Sequence, residues 1–276
     1  MYSSPTSTSS ILRTLTFIFS FWALPLQAET QKQEQWEVLQ EQSFEPSIFT
    51  QGLFVDGDFL LVSSGGFGHS FISKIPLNNS TETANNSPHS TRKYLPKSQF
   101  AEGFSLHEGH YYLLTWKAGL AYKLDKNFEH LTSYKLAYEG WGLTSNGQQL
   151  IASDGSATLR FLNEHDFSTQ RSIKVKHKQQ ALNKINELEW AQGYIWANVW
   201  HDDHIYKINP QDGRVEGKWD LSCLRHKLKL NTPEAVLNGI AWDETRQAFW
   251  ITGKLWPQRY LIRFKEHGDS SLQALN

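Results

Sequence analysis

The chain reads as all-β, built from copies of one strand-turn-strand unit. Three observations carry that reading. Aromatic residues are abundant, with eleven Trp, ten Tyr and sixteen Phe among 276 residues, while Ala-, Leu- and Glu-rich helical stretches are scarce, a bias that suits pleated, half-buried strands. Five segments share a plan: TQGLFVDGDFLLVSSGG (50–66), AEGFSLHEGHYYLLTWKAG (101–119), GWGLTSNGQQLIASDGS (140–156), INELEWAQGYIWANVWHDD (185–203) and LNGIAWDETRQAFWITGKLW (237–256). Each has a polar or aromatic residue, usually then Gly, an apolar strand, a turn and a second apolar strand. A third alternating strand follows every copy, at 70–77, 120–127, 157–164, 204–211 and 260–267. A spacing of about 40–50 residues with about four strands per unit is the mark of a β-propeller, here with five blades.

Taken in order, the N-terminus reads as a cleaved signal peptide over 1–28: Arg13 supplies the charge, LTFIFSFWALPL (15–26) a short apolar run, and Ala28 the cleavage point. The run is too short to span a bilayer. Residues 29–276 then form the propeller domain, with blade cores near 49–77, 100–128, 140–167, 185–213 and 237–264. The segment QWEVLQEQS (35–43) is expected to supply an outer strand to the last blade, closing the ring and removing the free edge. Two polar stretches fall outside the repeat. Residues 78–99 read as a long inter-blade connection, whose overlapping Asn-x-Ser/Thr matches at Asn78 and Asn79 carry no weight. The basic run 171–184 reads as a solvated loop, with a charged rim for a substrate carboxylate as the alternative. Cys223 is the only cysteine, so no intrachain disulfide forms; it reads as a small buried hydrophobe. An exported chain without disulfides suits a periplasm, or secretion, and nothing points to more than a monomer.

The formal net charge of −1, with acids and bases interspersed, excludes a field able to hold nucleic acid or an anionic membrane. Strand geometry places a site. The residue before the first strand of a blade and the residue after the second meet at the same end of the ring. Alignment of the copies brings Gln51, Glu102, Trp141, Asn186 and Asn238 to one equivalent position, and Ser64, Trp116, Asp154, Trp200 and Lys254 to another. Each copy supplies a different functional group, which points to a shared pocket. The HDDH run at 201–204 does not read as a metal site, because alternate strand residues face opposite ways.

The stretches FTQGL (49–53), FAEGF (100–104), LTWK (114–117), GWGLTS (140–145), SDGSATLRFL (153–162), INELEW (185–190), ANVW (197–200), LNGIAWD (237–243) and TGKLWP (252–257) resemble the plant-type glutaminyl-peptide cyclotransferases, or glutamine cyclotransferases, which have bacterial members. The resemblance spans nearly all of 49–264. It implies a five-bladed propeller that turns the N-terminal glutamine of a peptide into pyroglutamate and releases ammonia, with no cofactor and no metal. The family's functional residues match at Phe49, Gln51, Phe100, Glu102, Trp116, Trp141, Asn186, Trp200 and Lys254. Val62 stands where the family commonly has Glu, a departure that bears on a substrate-amine contact or proton relay from this blade and not on Glu102.

On that reading Glu102 shuttles the proton from the α-amine to the departing nitrogen, inside an aromatic wall that raises its pKa. Lys254 and an amide or indole N–H face the developing oxyanion, while Gln51 and Asn186 hold the substrate's amide and backbone. Two other readings stay open: a calcium-dependent lactonase-like propeller using Glu102, Asp154, Asn186 and Asn238 as oxygen ligands, and a peptide-binding propeller without catalysis.

Overall fold

Alternation of side chains along each strand explains how the sheets pack. In the strand Phe59–Ser64, Leu60 and Val62 point to one neighbouring sheet and Leu61 to the other, so both faces of the strand are buried. A computed structural model describes residues 1–2, 35–78 and 91–265. The expected signal peptide lies outside them, apart from Met1 and Tyr2. Backbone contacts separate the chain at Gln33, and everything below belongs to the unit Glu34–Asn276.

Five four-stranded antiparallel sheets are present among the described residues. Their innermost strands are Thr50–Asp56, Ala101–His107, Leu143–Ser145, Ile185–Ala191 and Leu237–Asp243, and these touch one another in a closed circuit. The blades are numbered one to five in that order. The strand Trp36–Ser43 pairs antiparallel with Gln258–Phe264, so the last blade takes its outer strand from the start of the chain. That is the expected closure, and the outer edge of Gln258–Phe264 is covered.

The core lies in the five seams between blades. Leu53, Leu60, Val62 and Phe71 of blade one meet Ala241, Trp250 and Leu261 of blade five, and an equivalent apolar cluster fills each of the other seams. Val62, fully buried in this cluster, is a core residue of the seam. The strand's alternation carries it away from the pocket described below.

Three expectations need correction. The connection 78–99 contains a strand, Thr91–Tyr94, the outermost of blade one; its residues 79–90 lie outside the described ones. The run 171–184 is likewise not a loop. Thr169–Lys174 is the outer strand of blade three, and Lys176–His177 pairs with Gln180–Ala181 in a small hairpin. Outer strands face water on most of their surface, so the chain writes them in charged and polar residues that resemble loop composition. Cys223, expected inside, is exposed. It sits on the one helix among the described residues, Ser222–Leu228, whose buried residue is its neighbour Leu224, about 100° further round.

Candidate active site

Four of the five inner strands carry a bulge at the same place. In blade one Thr50 pairs with Ser64 and Gly52 with Ser63, so Gln51 has no partner. In blades two, four and five, two residues face one across the pair: Glu102 and Gly103, Asn186 and Glu187, Asn238 and Gly239. A bulge bends its strand and re-aims the extra side chain. The aligned polar residues of the sequence are these bulge residues. Gly103 shows why glycine follows: a Cβ there would lie 2.4 Å from the Leu143 nitrogen and 2.7 Å from the Trp141 oxygen. The inner strands of blades two and three approach too closely for any side chain between them.

A cavity of about 270 Å³ opens at this end of the ring, lined by Phe49, Gln51, Phe100, Glu102, Trp116, Trp141, Asn186, Trp200, Glu234 and Lys254. All nine residues expected at the site line it. Ser64, Asp154 and Asn238 do not. Ser64 accepts a hydrogen bond from the Phe49 nitrogen at 3.0 Å. The true counterpart of Trp116 in blade one is Gly65, since the Gly65 nitrogen bonds the Phe49 oxygen just as the Trp116 nitrogen bonds the Phe100 oxygen. Gly65 leaves room for the Phe100 ring, which a Cβ would meet at 2.1 Å. Asp154 is held by Arg160 and Ser156. Asp154, bound in this way, and Asn238 do not line the cavity beside Glu102 and Asn186, so the four ligands of the calcium reading are not gathered in it.

Glu102 is 5% exposed, and its Oε1 accepts a hydrogen bond from Gln51 Nε2 at 2.9 Å. Behind Gln51, Asn238 Nδ2 donates to the Thr50 oxygen at 2.9 Å and reaches Gln51 Oε1 at 3.4 Å. Gln51 therefore fixes the carboxyl of Glu102 while also lining the cavity. Burial pushes Glu102 well above the usual carboxylate range, the Lys254 charge pulls it back, and Glu139 adds to the rise. Lys254, 4% exposed, is pushed down to about 8 by burial, against the attraction of Glu102 and Glu234. Its Nζ stands 4.7 Å over the Phe49 ring.

The walls are aromatic. Phe100 meets Phe49 edge-on at 6.1 Å and Trp116 at 5.6 Å, and Trp141 meets Trp200 edge-on at 5.9 Å. Such contacts hold the rings upright around the carboxyl. Sequence reasoning missed four residues here. Glu139 accepts from the indole N–H of Trp116 at 2.8 Å and of Trp141 at 3.2 Å, so neither indole is left to face an oxyanion. Glu234 lines the mouth beside Lys254. Phe67, 52% exposed, rests on Phe100 at 5.4 Å and Trp116 at 6.2 Å. Glu187 occupies the place where the other copies have Gly, and that break in the repeat was its signal. Asn186 is 2% exposed, and its Oδ1 has no hydrogen-bond partner within the protein.

A family profile described as glutamine cyclotransferase matches residues 14–264. The chain belongs to the glutamine cyclotransferase family. Among its relatives, the glutaminyl-peptide cyclotransferase of Arabidopsis thaliana is 33% identical over 240 residues, covering 85% of this chain and 73% of that protein. The crystal structure of Myxococcus xanthus glutaminyl cyclase superposes with a TM-score of 0.74 at 32% identity, covering 83% of this chain and 96% of that one.

Proposed function

We propose that the chain converts the N-terminal glutamine of peptides or proteins to pyroglutamate, releasing ammonia, with Glu102 as the proton carrier. The observation that carries the reading is a buried carboxyl facing an aromatic cavity beside an unpartnered amide oxygen, Asn186 Oδ1. Family membership and the activity named for the Arabidopsis relative support it.

The steps follow from the charges. An N-terminal ammonium enters the cavity and gives a proton to the Glu102 carboxylate, which burial makes a willing acceptor. The freed amine attacks the γ-carboxamide carbon, forming the ring N–C bond. Lys254, held as an ammonium near neutrality, faces the oxyanion. When the tetrahedral centre collapses, Glu102 returns its proton to the departing nitrogen and the C–NH₂ bond breaks; the freed carboxylate then takes the second proton from the ring nitrogen and passes it to the ammonia, which leaves as ammonium and the ring as a neutral lactam. Asn186 Oδ1 accepts from the substrate's N–H groups. The aromatic faces hold the glutamine side chain bent for closure and exclude water. Gln51, backed by Asn238, keeps the carboxyl aimed.

The composition of 1–28 and the single cysteine support export, to the periplasm or beyond, with the mature chain acting as a monomer free of the membrane. N-terminal sequencing of the mature chain and its mass in solution test both points.

The test of function is ammonia release from a short peptide beginning with Gln, for wild type and Glu102→Gln, with and without chelator. The expected result is turnover by wild type that chelation leaves unchanged, and a loss of about 10²–10⁴-fold in the variant. A wild-type chain inactive on every such peptide overturns the reading in favour of a binding propeller.

A further inference from the structure

The inner strand of blade two begins at the active site and ends at His107, about 17 Å away for five residues at about 3.3 Å each. There the tight turn to His110, with Glu108 at φ 44 and Gly109 at φ 75, brings the side chains of His107 and Glu108 beside Glu164, which follows the third strand of blade three. The His107 ring nitrogen and one oxygen from each carboxylate all lie within 4.8 Å of one another.

Two buried polar atoms at this junction lack partners. His107 is 2% exposed, and its Nδ1 meets Ser145 Oγ at 2.7 Å. Its Nε2 lies 3.0 Å from Glu164 Oε2 without making a hydrogen bond. Tyr112, whose ring packs 6.0 Å from that of His107, also leaves its buried hydroxyl without a partner, and the charges of Glu164 and Glu108 both act on it. A buried ring nitrogen left unsatisfied beside two carboxylates is the arrangement a cation completes. The Ser145 contact holds the ring in place, and in the tautomer that donates Nδ1–H to Ser145 Oγ the Nε2 lone pair is left for a metal.

We propose that His107, Glu108 and Glu164 bind a divalent cation of the zinc class, clasping blades two and three at the end of the ring opposite the active site. One imidazole and two carboxylates are a donor set that suits zinc, with water in the fourth position. Metal–ligand bonds of about 2.0–2.1 Å put ligand atoms about 3.3 Å apart in a tetrahedron, so the carboxylates must close in slightly. Glu108 is exposed and Glu164 only partly covered, so both are able to turn. The clasp takes no part in the chemistry at Glu102.

Calorimetric titration of the chelator-treated, dialysed chain with zinc chloride tests the proposal, with thermal unfolding as the second readout. Expected are one equivalent of zinc bound and a Tm raised by about 5 °C or more at a hundredfold excess over Kd. The double variant Glu108→Gln, Glu164→Gln, changed only at accessible positions, should keep its circular dichroism and bind zinc at least about tenfold more weakly. His165→Ala and His110→Ala should bind as wild type. No saturable binding, undiminished binding in the double variant, or loss on removing either neighbouring histidine each overturns the site.

Discussion

Glu102 in blade two and Glu187 in blade four occupy bulges of inner strands, are almost wholly buried, and are pushed well above the usual carboxylate range by burial. Their partners differ. Glu187 accepts from the backbone N–H of Leu53 at 3.3 Å and of Ile240 at 2.9 Å, reaching across the ring axis to blades one and five. Glu189, two residues on, accepts from the Trp242 nitrogen at 2.8 Å and Thr144 Oγ1 at 3.4 Å. Glu102 has one side-chain amide, a lysine nearby and an open cavity. Burial makes all three carboxyls reluctant to ionise, but only a carboxyl with unfilled bonding capacity toward a cavity is placed to exchange protons with a ligand.

The largest expected effect separates the two directly. Glu102→Gln should remove about 10²–10⁴-fold of the rate while thermal stability holds or rises, since the amide no longer has a charge to bury. Glu187→Ala should do the reverse. It strands two backbone donors, costing about 1–3 kcal/mol each in urea unfolding, while kcat per folded molecule stays within about twofold. If Glu187→Ala silences a stably folded chain, the division between the two carboxyls is wrong.

Glu189 sharpens the comparison through pH. Burial raises its carboxyl from 4.5 to about 8. The folded chain keeps this proton after the unfolded chain has released it, so its contribution to stability is whole below about pH 4.5 and falls as pH rises to about 8. Unfolding free energies at pH 5, 6, 7 and 8 should decline by on the order of a few kcal/mol in wild type. Glu189→Gln should show a shallower decline, and an unchanged slope would remove Glu189 as its source. The smallest effect belongs to Phe67. Its exposed ring extends the aromatic wall beyond the cavity, so Phe67→Ala should raise KM about two- to fivefold for peptides with a large apolar second residue, leave kcat alone, and spare peptides with Gly there.

Much of this was legible in the chain itself. The inner and second strands announce themselves by alternation, and the residues at their ends break a repeat that otherwise conserves its plan from copy to copy, which is how Glu102, Trp116 and Lys254 stood out. Strands such as Thr91–Tyr94 and Thr169–Lys174 did not, because exposed residues carry little hydrophobic period. The bulges were hidden as well, since register is a property of two strands, and without it Ser64 was aligned where Gly65 belongs. Glu139 lies in a connection between blades and meets Trp116 and Trp141 only when the ring is closed. Glu187 was visible as the one copy without Gly, but only the distance to Leu53 and Ile240 says what it does.

The pairing of Trp36 with Phe264 also governs when the protein comes into being. The strand that seals the ring is made before every blade, and its partner after the inner strands of all five. Blades can form one by one as the chain emerges, but their circuit stays open until the last is complete, and the entropy of joining such distant segments falls on that final step. Until then the pocket has no fixed wall between blades five and one, where Phe49 meets Lys254. Activity therefore waits on closure of the ring.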